Sequence, residues 1–177
     1  ALADPMDQDQ NGISGKANYV WDITHQTLRL GRFGWKANQP SLRQQAAAAF
    51  HGDLGITSSL FPMENCQHIE ECQEFPNGGE PEIPDDKLLH VIRYVSSLSV
   101  PSRRNHDDQQ ILQGKAMFQN IGCTNCHHPS FKTATHPLFP YLENQPIRPY
   151  TDLLLHDMGT ALADNRPDYE ATGQEWR

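Results

Sequence analysis

The residues best equipped for chemistry lie in one short run, Cys123-Thr124-Asn125-Cys126-His127. Two thiols three positions apart can add across the two vinyl groups of a single haem, and the histidine that follows directly can turn an imidazole nitrogen toward the iron. Two other chemistries use the same cysteines. A zinc site needs further ligands, which His128 or His136 could supply. A thioredoxin-type dithiol follows a strand and opens a helix, whereas this run follows a helical pattern and leads into Pro129. The context favours a c-type haem, one covalent group per chain, with His127 as an axial ligand.

The sixth position on such an iron is either filled or open. A methionine sulfur raises the reduction potential, whereas an open site favours peroxide chemistry. Met158, in Leu154-Leu155-His156-Asp157-Met158-Gly159, is the candidate distal ligand, and His156 is the second choice. Met117 sits on the preceding helical pattern and reads as core. The remaining histidines read as surface or supporting groups. A separate pair, Cys66 and Cys72 with His68 between them, fits a disulfide closing a short loop and hence an oxidising, extracytoplasmic compartment. Near the start, Asp7, Asp9 and Asn11 alternate as in the first half of a calcium loop and Ser14 is a further oxygen candidate, with Gly12 and Gly15 nearby, although Ile13 breaks the alternation. The twelfth position of that loop is Asn18 rather than a bidentate glutamate, so a solvated turn competes with a calcium site.

The elements that must position these groups are few. Residues 19–30 mix β-branched and aromatic side chains and predict a short hairpin or extended strand. Ser41 with Gln44 three places on is a capping-box pattern opening a helix along Leu42, Ala46, Ala49 and Phe50, with Gly52 as its expected end. Asp85 caps a second helix, striped by Leu88, Val91, Ile92, Val95 and Leu98 and closed by Pro101. A third runs from Asp108 to Asn120 and stops at Gly122, directly before Cys123. Residues 53–83 and those after His127 are irregular, apart from a short helix expected around residues 152–156. No internal repeat is present. The charged run 103–108 is the expected domain boundary.

Composition narrows the functional classes. The chain has 177 residues and a net charge of −8, and its mean hydropathy is −0.67. An acidic chain whose largest basic cluster is Arg103-Arg104 lacks the cation patch that nucleic-acid binding requires. No stretch approaches the roughly 18 apolar residues of a membrane span. Thirteen Pro and twelve Gly predict long irregular connections, for which a packed cofactor could supply missing apolar surface.

Three blocks carry a family likeness: residues 31–62; Gly114-Lys115-Ala116-Met117-Phe118 leading into residues 122–127; and residues 149–164 with the trailing Gly173-Gln174-Glu175-Trp176-Arg177. Together they make the chain resemble the bacterial di-haem c-type oxidoreductases, relatives of di-haem cytochrome c peroxidases, in the branch labelled thiol oxidoreductase. The resemblance implies a mainly α fold of cytochrome-c-like domains with long irregular loops. Residues 1–104 would be the closing part of a first such domain, holding the calcium-like and disulfide loops. Residues 105–177 would be the haem domain, continued in relatives by a closing helix, so that the chain is a central piece of a longer protein. It further implies haem-dependent electron transfer within a periplasmic, peroxidase-like oxidoreductase, or alternatively a mono-haem electron carrier. The partner is a redox protein or a second haem domain. Cys123, Cys126 and His127 map onto the attachment residues and proximal ligand, Met158 onto the distal ligand, and Trp35 onto an aromatic electron relay.

Overall fold

A computed structural model describes residues 2–66, 74–99, 101–136 and 138–177. The expected Cys66–Cys72 disulfide reaches residue 72 and therefore lies outside the described residues. The chain opens with an antiparallel hairpin of β1 (Tyr19–Asp22) and β2 (Thr27–Leu30), in the register Tyr19↔Leu30 to Asp22↔Thr27. Alternation along β1 turns Val20 and Asp22 inward and leaves Tyr19 and Trp21 exposed. Asp22, at 1% exposure, closes the turn. Its carboxylate accepts the His25 backbone N–H at 3.0 Å, meets His25 Nδ1 at 2.9 Å and pairs with Arg29 at 3.3 Å.

Helix α1 (Leu42–Leu54) begins where Ser41 Oγ accepts the Gln44 N–H. Gln44 does not reach back to complete the capping box. Its buried carboxamide instead accepts from Ile23 N–H at 2.9 Å and donates to the Trp21 carbonyl at 3.0 Å, fastening the helix to the hairpin. The helix runs through Gly52 and ends against Gly55, whose φ of +71° supplies the left-handed cap. Helix α2 (Asp85–Ser97) carries Asp85 and Asp86 in its first turn, where the helix dipole favours them. It buries Leu88 and Ile92 against Ala47 of α1, together with Leu60 and Phe139; Leu42, Phe50 and Leu142 pack around this core. Val95 and Leu98, further along the expected stripe, are exposed.

Helix α3 (Gln109–Asn120) is followed by the turn Cys123–Asn125. Beyond it lie two further antiparallel pairs: β3 (Phe131–Lys132) with β4 (Pro146–Ile147), and β5 (His156–Asp157) with β6 (Glu175–Trp176). A second small core joins Ala37, Leu155 and Ala171. Around it, the backbones of Lys16 and Leu155 exchange hydrogen bonds at 2.7 and 2.9 Å. Lys16 pairs with Glu175 at 2.8 Å. The buried Lys36 ammonium meets Asp164 at 3.1 Å, the Thr172 carbonyl at 2.9 Å and the Trp176 ring at 4.3 Å. Residues 15–39 and 154–177 thus form one packed layer.

The expectation of a mainly α fold is overturned. Among the described residues about 29% are helical, and three two-stranded antiparallel sheets are present. The reason is local: after Gly122 come Pro129, Pro137, Pro140, Pro146, Pro149 and Pro167, which remove donors and disfavour helix in the residues before them. The short helix expected at residues 152–156 does not form. The Asp152 carboxylate takes the Leu154 N–H at 3.0 Å in a side-chain turn, and Leu153 adopts φ +64°. No described helix is long and apolar enough to cross a membrane.

Candidate functional site

Asp108 caps α3 by accepting the N–H groups of Gln110 at 2.8 Å and Ile111 at 3.3 Å. At the other end Gly122, with φ +88°, stops the helix and starts the cysteine turn. The His127 N–H then bonds the Cys123 carbonyl at 2.9 Å, so the five motif residues form one compact turn. Both thiols are free and half-buried. Burial, then the nearby Asp152 carboxylate and Cys123, push the Cys126 thiol above its ordinary pKa and keep it protonated.

His127 Nδ1 lies 3.0 Å from the main-chain carbonyl oxygen of Tyr150. A carbonyl only accepts, so Nδ1 carries the proton and the lone pair of Nε2 is left for a metal. Phe118 packs beside the imidazole with centroids 5.8 Å apart and meets the Tyr150 ring edge-on at 6.0 Å. The Asp152 N–H bonds the Cys126 carbonyl at 3.0 Å, so the segment after Pro149 braces the motif at two adjacent residues. Next to this brace, Arg103, Ile111, Lys115, Phe118 and Tyr150 line a mostly apolar cleft of about 250 Å³.

Helix α3 carries no buried residue, although Ile111, Leu112, Met117 and Ile121 all lie on it or at its end. A helix with that much uncovered apolar surface beside two thiols and an oriented imidazole fits a large flat apolar group. The donor set fits haem better than zinc. Among the described residues no three His, Cys, Asp or Glu side chains are gathered to hold a metal ion. His128 packs on Phe131 at 4.5 Å, and His136 stacks on Phe139 at 4.9 Å.

The other candidate residues are dispersed. Met158 is half-exposed in the exit from β5, its N–H bonded to the Gln174 carbonyl at 2.9 Å, and it does not line the cleft by His127. His156 Nε2 is held 2.8 Å from the Asp152 carboxylate, with both side chains largely buried. Trp35 is 82% exposed, and its carbonyl accepts the Arg177 N–H. In the acidic N-terminal loop, Asp7 accepts from Gly12 N–H, Asp9 from Asn11 and Asn11 from Ile13; Ser14 takes no part in these bonds. Asp9 and Asn11, but not Asp7 or Ser14, face a polar cavity of about 230 Å³ that also touches Asn125, His128 and Asp152. Sequence reasoning missed Tyr150, because a main-chain acceptor 23 positions downstream leaves no side-chain signature.

The family model of di-haem oxidoreductases, whose description adds a provisional assignment as peroxidases, matches residues 1–177. No curated protein and no solved structure matches the chain.

Proposed function

The chain belongs to the di-haem oxidoreductase family, and on that premise we propose that it holds one covalent haem c and passes single electrons within a periplasmic, peroxidase-like oxidoreductase. The family implies a haem cofactor. When bound, haem iron supplies one-electron exchange between its ferric and ferrous forms. Everything else in this reading is work for the chain's own side chains. Cys123 and Cys126 provide thioether sulfurs, and His127 offers Nε2 as proximal ligand. Met158 would offer its thioether to the same iron, which would raise the potential. Trp35, exposed on the layer formed by residues 15–39 and 154–177, is the relay to a second haem on a partner domain or protein. A Cys66–Cys72 disulfide, as the sequence suggests, would suit the same oxidising compartment.

The observation that carries this reading is the His127 Nδ1 to Tyr150 carbonyl bond of 3.0 Å. It fixes the ligating tautomer beside two free, half-buried thiols, at the end of a helix whose apolar face has no cover. The test compares the wild type, matured by a host with working cytochrome assembly, with the double variant Cys123→Ala/Cys126→Ala. Acid–acetone should leave wild-type colour in the protein pellet and extract any haem from the variant. Colour that leaves the wild type completely in the solvent would contradict attachment through these sulfurs.

A further inference from the structure

The acidic N-terminal loop spends its oxygens on itself. Asp7 accepts the Gly12 N–H with both carboxylate oxygens, each at 3.2 Å. Asp9 accepts the Asn11 N–H at 3.2 Å and the Asn11 Nδ2–H at 2.9 Å. Asn11 Oδ1 in turn accepts the Ile13 N–H at 2.9 Å. A main-chain N–H only donates and a carboxylate only accepts, so these partners fix which end of the Asn11 carboxamide is oxygen. The carboxamide is therefore held at both ends, next to a glycine whose nitrogen faces a carboxylate. Asn11 and Gly12 are exposed, and nothing lies within 4 Å of the place where a Gly12 Cβ would stand. The Gly12 nitrogen has room to turn onto Asn11 Cγ, and no side chain of its own resists the turn.

These are the parts of an intramolecular acyl transfer. The attacking nitrogen is adjacent in the chain. Asp7 is placed to take its proton as general base. The Ile13 N–H meets the oxygen on which charge develops, and Asp9 keeps the carboxamide turned for attack. We propose that Asn11-Gly12 is an autocatalytic modification site, at which the loop converts its own asparagine to aspartate or isoaspartate. The bond from Gly12 N to Asn11 Cγ forms as the Cγ–Nδ2 bond breaks. The Gly12 proton passes through Asp7 and solvent to the departing nitrogen, which leaves as ammonia. Water then opens the five-membered imide at either carbonyl. In sum, asparagine and water give a carboxylate and ammonia, with no change of oxidation state. The new negative charge enters the wall of the polar cavity that Asn11 shares with Asp9, Asn125, His128 and Asp152, beside the cysteine turn. None of this depends on the haem reading.

The chain supplies its own comparison in a second Asn-Gly pair, Asn77-Gly78. There the Gly78 N–H meets Glu82 at 3.0 Å, but the other oxygen of Glu82 is taken by the Thr57 N–H and hydroxyl. No acceptor among the described residues holds the Asn77 carboxamide nitrogen. The experiment incubates the full chain at neutral pH, folded and in guanidinium chloride. Residue-resolved peptide mapping follows the gain of about one mass unit at each asparagine, and isoaspartyl methyltransferase labels the rearranged product. In the folded chain Asn11 should convert about tenfold faster than Asn77 and than Asn11 in denaturant, the weight of one hydrogen bond realised in the transition state. Asp7→Asn keeps an acceptor on the Gly12 N–H but no base, and should bring the folded rate down to the denatured one. A folded Asn11 that converts no faster than in denaturant would overturn the proposal. So would an Asp7→Asn chain that converts as fast as the wild type.

Discussion

Asp22 is the buried charge on which the first hairpin closes. Burial pushes its carboxyl up, but the hydrogen bonds from His25 and the charges of His25 and Arg29 outweigh that, and the group is held below the ordinary carboxylate range. A lowered folded-state pKa contributes stability that is complete above the unfolded value, near 3.9, and is lost as pH falls through the folded value. Asp22→Asn should therefore cost about 1–3 kcal/mol at neutral pH and flatten the acid limb of stability below about pH 4. Denaturant titrations of both proteins across that range check it; equal midpoints at pH 7 would show that the carboxylate does not hold the hairpin. At this scale much of the candidate site was legible. Thiol and imidazole chemistry lives in side chains whose spacing can be read directly. The Tyr150 carbonyl and the Gln44 bridge to the hairpin were not, because the first is main chain and the second depends on two elements meeting.

Among the elements, the start of α1 was legible because Ser41 announces a cap, but its end was not. Gly52 and Gly55 are equivalent in sequence, and only Gly55 takes the left-handed cap. The stripe on α2 predicted burial as far as Leu98, yet only its first half faces α1, so Val95 and Leu98 stay exposed. The two-residue strands after Phe131 are too short to show an alternating pattern, and this is how a proline-rich half was taken for part of a helical domain. One glycine has a measurable duty. A Cβ added to Gly31 would stand 1.7 Å from the Ala37 carbonyl oxygen, a main-chain atom that cannot swing aside. Gly31→Ala should destabilise the chain by about 3 kcal/mol, read as a lower urea midpoint. An unchanged midpoint would mean that the 31–37 loop moves freely.

Across the whole molecule, the organising contacts join distant parts of the chain. Lys16, Asn18 and Lys36 bond to residues 155–175, and Phe139 completes the core between α1 and α2. The boundary expected between residues 104 and 105 rests on a local charged run, and such a run carries no information about pairings more than a hundred positions apart. What the molecule leaves uncovered is α3, the helix that ends at Cys123. Its apolar face, the two thiols and the proton on His127 Nδ1 all fit the flat, covalently held group proposed above. Intact-protein mass together with a pyridine haemochrome spectrum, on chain matured by a host with cytochrome assembly, tests that most directly. The account predicts the mass of the polypeptide plus one haem and a haemochrome of the two-thioether type. A colourless protein at the bare polypeptide mass would contradict it.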